Sequence, residues 1–555
     1  EKFYISGAGD PRCKIMIVMV KTSPDAAPSR TEPSRTASMP GPTRPLPCQP
    51  TGSQPHSSGL RPALPSIQDT FMTARPVHLD RPAAAGRLRA IAELPSPKGV
   101  PALGNMLQIK PGTMHQTLER WAAELGPLYR FKIGRREFMV VGDHEVFSAA
   151  LRDRPDGFRR PPVSADLVRE MGFQVGVFSA NGEAWKRQRR MVMAGFDPRH
   201  LKVYFPSLAK VALRLRGRWQ KAARNQAAID LQSDLMRFTV DAIAGLAFGA
   251  DVNTLESDQD VIQQHIDQIF PILWKRILSP IPMWRYVKRS ADRRLDRSVV
   301  AVKAAIDSFI SQARERLAAD PARRENPRNL LEAMIVAADQ GDSGVNDNDV
   351  AGNVLTMLLA GEDTTANSLA WMIDLLVRNP QALALAREEV LRVAPDPTAF
   401  TLEQIGRLEY VEACAHETMR LKPVAPLHSV EALKDCELGG VHIPAGTRIF
   451  GILRHDSLDE RHFPDPLAFK PERWLAEGSP GQAASSAKRV SMPFGAGPRM
   501  CPGRNLALLE MKMAMAILLG GFEIDSVSSP QAGDTEELLA FTMGPVGLTM
   551  RLRER

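Results

Sequence analysis

Phe494-Gly495-Ala496-Gly497-Pro498-Arg499-Met500-Cys501-Pro502-Gly503 sets one cysteine inside a run of small, turn-forming residues. Gly495, Gly497 and Pro498, with Pro493 just before, oppose an ordinary helix ahead of Cys501. After Gly503, Asn505-Leu506-Ala507-Leu508-Leu509-Glu510-Met511 is rich in good helix formers. Cys501 is therefore expected in a tight loop feeding a helix N-terminus. Backbone N–H groups and the positive helix end favour a thiolate there, and Arg499 adds a cation two residues away. A lone cysteine is more often a buried structural residue, so the spacing of its neighbours decides between the two.

That spacing, Phe-x-x-Gly-x-Arg-x-Cys-x-Gly, is met at Phe494, Gly497, Arg499, Cys501 and Gly503. It resembles the haem-binding loop of the cytochrome P450 superfamily. The resemblance implies that Cys501 is the axial thiolate of a haem iron, a ligand that favours O–O cleavage. It further implies that the loop glycines, Gly503 among them, let N–H groups approach the sulfur. Phe494 would shield the sulfur and Arg499 would meet a haem propionate.

Three further segments support this resemblance. Trp185 and Arg189 share a helix face and are similar to the family's Trp-x-x-x-Arg motif, whose side chains reach the propionates. Asp349 to Val377 reads as a helix interrupted by Ala360-Gly361-Glu362-Asp363-Thr364-Thr365, poor choices for a buried helix interior. The plain alternative is a solvent-facing kink. The segment also resembles the family's oxygen-binding motif, which implies that Thr364 hydrogen-bonds the oxygen or its water. It implies that Asp363 serves the proton relay and that Gly361 and Thr364 open the helix. Glu417 and Arg420 resemble the buried Glu-x-x-Arg pair, which Arg473 of Pro471-Glu472-Arg473-Trp474 would complete. One departure stands out. Where many relatives carry a propionate-binding arginine, counting back from Asp435, this chain has Val430, leaving that contact absent or supplied by another group such as His428.

The 555 residues suffice for a large core, and 44% hydrophobic with 24% charged residues is ordinary for a soluble globular protein. No apolar run approaches the roughly 20 residues that span a bilayer, so no transmembrane anchor is expected. Five cysteines, Cys13, Cys48, Cys414, Cys436 and Cys501, form no disulfide framework and point to a reducing compartment. The net charge of +8 does not require nucleic acid; an acidic protein partner would suffice. Residues 1–80 hold 13 of the 44 prolines, with many Ser, Thr and Arg, and are expected to be a disordered or extended tail. A start at Met39 or Met72 is the alternative.

Residues 81–555 are expected to form one haem domain. A proline-rich lead-in at 94–101 precedes a helix from Met114 to Leu125 and a hairpin over Leu128–Val141. Residues 163–180 read as loop. Helices are expected over Leu201–Ala222, Ala227–Phe248, Gln259–Leu278, Ala291–Ala318 and Leu330–Ala338. Arg276 and the run from Arg285 to Arg289 read as solvated surface. Two short strands follow Leu438, and a last hairpin surrounds Met543.

The resemblance implies a mostly α fold with a small β-rich lobe, the cytochrome P450 fold, holding haem b (iron protoporphyrin IX) between the Cys501 loop and the Thr364 helix. The implied reaction is monooxygenation of an apolar substrate such as a fatty acid, terpenoid or aromatic. Val175, Phe178, Ala360, Val424, Ala425 and Met543 are expected to line the pocket. Only 54 residues follow Cys501, so electrons are expected from NAD(P)H through a separate ferredoxin, flavodoxin or reductase. Lys186, Arg187, Arg190, Arg504 and Lys512 are either its docking patch or a solvated face. The expected setting is a bacterial cytoplasm. A haem-binding sensor or silent relative, or a hydrogen-peroxide-dependent peroxygenase, is the alternative; the Asp363–Thr364 pair argues against the last.

Overall fold

Asn346 starts the helix that organises the molecule, Asp347–Arg378. Its side chain accepts from the N–H groups of Asn348 and Asp349 at 2.9 and 3.2 Å, and the Asp349 carboxylate accepts from Asn346 N–H at 3.1 Å. This reciprocal cap satisfies donors that a helix start leaves open. Val350, Val354, Leu358, Leu369 and Leu376 are buried along it, and the helices Leu231–Ile243 and Glu409–Leu421 pack against it. The computed structural model describes residues 87–555 apart from 197, 258–261, 280–281, 476–483 and 532. The tail proposed for residues 1–80 lies outside the described residues.

The expected opening of this helix at Gly361 and Thr364 is not found. The helix runs unbroken through the motif, and the Thr364 hydroxyl donates to the Ala360 carbonyl one turn back at 2.7 Å. A polar side chain that bonds its own backbone fits within a helix without breaking it. Gly361 serves close approach instead: a Cβ there would stand 3.0 Å from Ile243 Cγ1 of the neighbouring helix.

Helices dominate, as expected. Met114–Leu125, Gly182–Gly195, Pro198–Arg224, Ile262–Leu278, Ser290–Ala319 and Leu330–Ala338 fall close to the expected positions. The segment expected as loop after 163 is partly wrong, because Val163–Glu170 is helical and buries Ser164, Ala165 and Leu167. Pro161 and Pro162 precede it, and proline is tolerated at a helix start but not inside one. Arg276 is also not solvated. It bonds Asp292 at 2.9 Å and lies over the Trp284 ring, whereas Arg285 to Arg289 is exposed as expected.

The β-rich lobe is a five-stranded sheet in the order Leu128–Ile133, Arg136–Val141, Arg448–Ile452, Leu427–Ala432, Phe158–Arg159. Its last pair is antiparallel, with Phe158 opposite Ala432 and Arg159 opposite Glu431. Glu417, on the helix Glu409–Leu421, accepts from Trp474 Nε1 at 2.9 Å, Lys470 N at 2.9 Å and Arg473 Nε at 3.3 Å. The arginine expected to complete that pair is therefore in place.

Candidate active site

Contact with the helix His144–Arg152 shapes the loop before Cys501. Gly497 has φ +70°, and a Cβ on it would lie 2.4 Å from the Leu151 carbonyl oxygen. Only glycine fits that backbone and that gap. Cys501 N–H donates to Phe494 O at 2.9 Å, which closes the loop, and the helix Arg504–Gly521 starts three residues on. Gly503 N–H donates to the Cys501 sulfur. Phe494 thus meets Cys501 through its backbone, with its side chain half-buried.

Cys501 is accessible on one side and enclosed by protein on the others. That enclosure raises its thiol pKa, while the Gly503 N–H, Arg189 and Arg504 pull it down. A metal held at this sulfur would require the thiol to give up its proton. Cys414 and Cys436 are also free.

Around this loop the chain gathers cations. Arg189 Nη2 donates to Met500 O at 2.7 Å. Arg499 donates to Ala180 O at 2.5 Å and to Asn181 Oδ1 at 3.0 Å, and its guanidinium lies 4.6 Å over the Trp185 ring. Trp185 and Arg189 thus both stand beside the loop, and the cation over Trp185 is Arg499. Two further arginines escaped the sequence analysis. Arg154 donates to Leu151 O and Ala496 O, both at 3.1 Å. Arg160 lies 3.7 Å over the Phe178 ring. Among the described residues no carboxylate pairs with any of these four, and Nε of Arg160 and of Arg499 is buried without a hydrogen-bond partner. Burial, and for Arg154 and Arg499 also neighbouring arginines, pushes their pKa values down: to about 9 for Arg154 and Arg499 and about 10 for Arg160.

Buried cations with open donors require an anion. A group carrying carboxylates beside a metal that takes the Cys501 sulfur fits this donor set. His428 does not supply the missing cation: burial first, then Arg154 and Arg160, push its pKa to about 3, so it is neutral. Val430 is buried in the apolar core of the sheet lobe.

A cavity of about 490 Å³ lies between Arg154, Arg160 and His428 and the central helix. Arg154, Arg160 and His428 form one side; Leu355, Leu359, Ala360 and Thr364 form another. Phe178, Ala360 and Ala425 line it as expected. Val424 and Met543 instead pack into the core around Trp371, and Val175 into the main helical core. Asp363 does not itself line the cavity. Its carboxylate accepts from Asn367 Nδ2 at 2.9 Å and from the hydroxyl of Thr542, and burial raises its pKa. Thr542 lines the cavity, so it links Asp363 to that space. Nothing in the spacing of Thr542, 179 residues away, marked it in advance.

The family description Cytochrome P450 matches residues 94–551. The chain belongs to the cytochrome P450 family. Its relatives include rat (Rattus norvegicus) thromboxane-A synthase, 26% identical over 81% of this chain and 89% of the relative. Tryptamine 5-hydroxylase of Oryza sativa subsp. japonica is 29% identical over 77% of this chain and 83% of its own. A bifunctional cytochrome P450/NADPH–P450 reductase of Bacillus subtilis is 27% identical, the match spanning 79% of this chain and 40% of that protein. The crystal structure of the cytochrome P450DA heme domain superposes with a TM-score of 0.72 over 85% of this P450 and 99% of that chain, at 24% identity. Membership makes the chain a haem- and iron-binding oxidoreductase of the monooxygenase class. Among the described residues no helix is long and apolar enough to cross a membrane.

Proposed function

We propose that this cytochrome P450 inserts one oxygen atom from O2 into an apolar organic substrate held in the cavity beside Thr364. The observation that carries the reading is a set of arginines without carboxylate partners: Arg154 and Arg160 face that cavity, and Arg154, Arg189 and Arg499 stand at the Cys501 loop. It supports a bound dicarboxylate cofactor whose metal is held by Cys501. Haem, when bound there, supplies the oxygen-activating redox chemistry.

The chain's own residues would then divide the work. Cys501 supplies the thiolate, tuned by the Gly503 N–H; Arg499, resting on Trp185, and Arg189 fix the loop edge and the carboxylate side, and Phe494 backs the loop. Thr364 holds a hydroxyl at the cavity wall, where it orients the proton needed for oxygen reduction. Asp363 keeps a carboxyl of raised pKa behind Thr542, a group suited to pass that proton inward. Phe178, Leu355, Leu359 and Ala425 exclude water and favour an apolar substrate.

Electrons would come from NAD(P)H through a separate transfer protein. Exposed Arg190 and half-buried Arg187, on the Trp185 helix, and Arg504, beside the thiolate, form a basic face suited to an acidic partner. Lys512 does not belong to it, being buried against Glu412 at 2.9 Å. We place the protein in the cytoplasm, a setting that suits its free cysteines, with residues 1–80 as a tail ahead of the haem domain.

Titration of the haem-loaded protein with a panel of fatty acids, terpenoids and aromatics tests this reading. Spin-state shifts with at least one apolar class, followed by oxygenated product with a supplied electron donor, are expected. Haem-loaded protein that turns over none of them under electron supply would favour the sensor reading.

A further inference from the structure

Three histidines, His144, His455 and His462, gather at Asp456, and none of the four residues lines the cavity. His144 is the first residue of the helix His144–Arg152, and His455 and Asp456 lie on the short helix Arg454–Ser457. His462 follows in a turn where its backbone N–H donates to Asp459 O at 3.0 Å. The group is hidden in the sequence because 312 residues separate His144 from Asp456.

Asp456 is buried, and its two oxygens have different uses. Oδ1 accepts from His455 Nδ1 at 2.8 Å. Oδ2 accepts from His144 N at 2.8 Å, and lies 2.7 Å from His144 Nδ1 and 4.0 Å from His462 Nε2. The rings of His144 and His462 meet edge to face with centroids 4.9 Å apart. A hydrogen-bonded network accounts for His144 and His455 but not for His462. At 4.0 Å it is beyond hydrogen-bond reach, and among the described residues its ring has no other hydrogen-bond partner. Donor atoms of His144, Asp456 and His462 all lie within 4.8 Å of one another. A tetrahedral ion at ordinary zinc bond lengths sets its nitrogen and oxygen ligands about 3.4 Å apart, so shifts of about 1 Å close the set. The side chains of His144 and His462 are 16% and 28% exposed, which leaves an ion a way in from solvent.

We propose that His144, Asp456 and His462 bind one divalent transition-metal ion of the zinc type, with water in the fourth position. Two imidazoles and one carboxylate suit zinc and its first-row neighbours, whereas magnesium and calcium take oxygen ligands. The ion takes the place of the proton between His144 Nδ1 and Asp456 Oδ2, and that proton passes to water. His455 holds the carboxylate from its other oxygen, the kind of outer partner that orients a metal ligand. Asp143 and Glu145 add negative charge beside His144, and Arg461 of the His462 turn is held by Asp459 at 2.6 Å. The ion fastens the start of the His144–Arg152 helix to the segment that follows Arg454. Near its other end, that helix meets Gly497 of the Cys501 loop through Leu151 and Arg152. A filled site therefore steadies the support on which the loop rests.

The test is equilibrium dialysis of the haem-loaded full chain against zinc sulfate, with bound zinc counted per chain by elemental analysis. Wild type is set beside His462→Ala and His442→Ala. His442 has a lone carboxylate, Asp435, at 3.7 Å and serves as the control. His462→Ala should bind one zinc fewer than wild type, and His442→Ala as many as wild type. Zinc should also raise the thermal midpoint of wild type by a few degrees and that of His462→Ala by less, because an ion that binds the folded state stabilises it. Magnesium at the same concentration should raise neither. Equal zinc counts in wild type and His462→Ala would overturn the proposal, as would wild type that binds no zinc, or midpoints that rise equally in both. A magnesium effect as large as that of zinc would overturn the assignment of the ion. Should His462→Ala fail to fold, His462→Gln, closer to histidine in size and polarity, takes its place in the same comparison.

Discussion

Arg420 and Glu417, one turn apart on the helix Glu409–Leu421, are joined by two hydrogen bonds of 2.7 and 2.9 Å and are both fully buried. Surface pairs at this spacing contribute tenths of a kcal/mol. Here Arg420 also donates to the carbonyls of Ser457, Pro466 and Ala468, stitching the segment leading to Arg473 onto the helix. Removing one partner leaves a buried charge alone. Arg420→Leu should therefore cost about 3–5 kcal/mol, read by chemical denaturation of the haem-loaded protein. A loss under about 1 kcal/mol, the range of surface pairs, would mean that the pair is not buried in solution.

Gly497 offers a backbone test. Its positive φ and the 2.4 Å gap to the Leu151 carbonyl leave no place for a methyl group. Gly497→Ala should distort the Cys501 loop at a strain of about 1–3 kcal/mol. Weaker haem retention and a shifted Soret band, at nearly unchanged helix content, are the expected signs. An unperturbed Soret band and wild-type retention would show that the loop does not pack on the His144–Arg152 helix.

Glu510 gives the pH dependence its sign. Burial raises its carboxyl from 4.5 to about 8, against a lowering contribution from the Thr365 hydroxyl. The folded state holds this proton more tightly than the unfolded chain. Its contribution to stability is thus fully present below about pH 4.5 and is lost as pH rises through about 8. Glu510→Gln should flatten the fall in urea stability between pH 5 and pH 9. An unchanged slope in the variant would remove Glu510 as its source.

Thr364 is the hydroxyl at the cavity wall. Thr364→Ala should leave haem binding and substrate-induced spectra close to wild type while diverting reducing equivalents to hydrogen peroxide. The measurement is the ratio of peroxide formed to NAD(P)H consumed. A ratio equal to that of wild type, at equal product yield, would take Thr364 out of the proton path.

Local signals in the chain were enough to anticipate much of this. The Cys501 loop, the helix start at Arg504, the Glu417–Arg420–Arg473 group and most long helices follow from turn residues, spacing and apolar period. What stayed hidden depends on pairing across distance. Arg154 and Arg160 look like surface arginines until the sheet register and the Ala496 carbonyl bring them to the cavity. Thr542 looks like a hairpin residue until it meets Asp363. Lys512 and Arg276 read as solvated because charge usually is; only the packed partners Glu412 and Asp292 show otherwise. The resemblance implies that the helix opens at Gly361 and Thr364, and its composition there is poor, yet Thr364 bonds back to Ala360 and Gly361 meets Ile243, so the helix runs on through the motif.

Carbon monoxide difference spectra of the reduced protein, wild type beside Cys501→Ser, address the central claim most directly. The account requires a red-shifted thiolate–haem band in wild type and its loss in Cys501→Ser. Wild-type protein that binds haem but lacks that band, or a variant that keeps it, would contradict the assignment of Cys501 as the iron ligand.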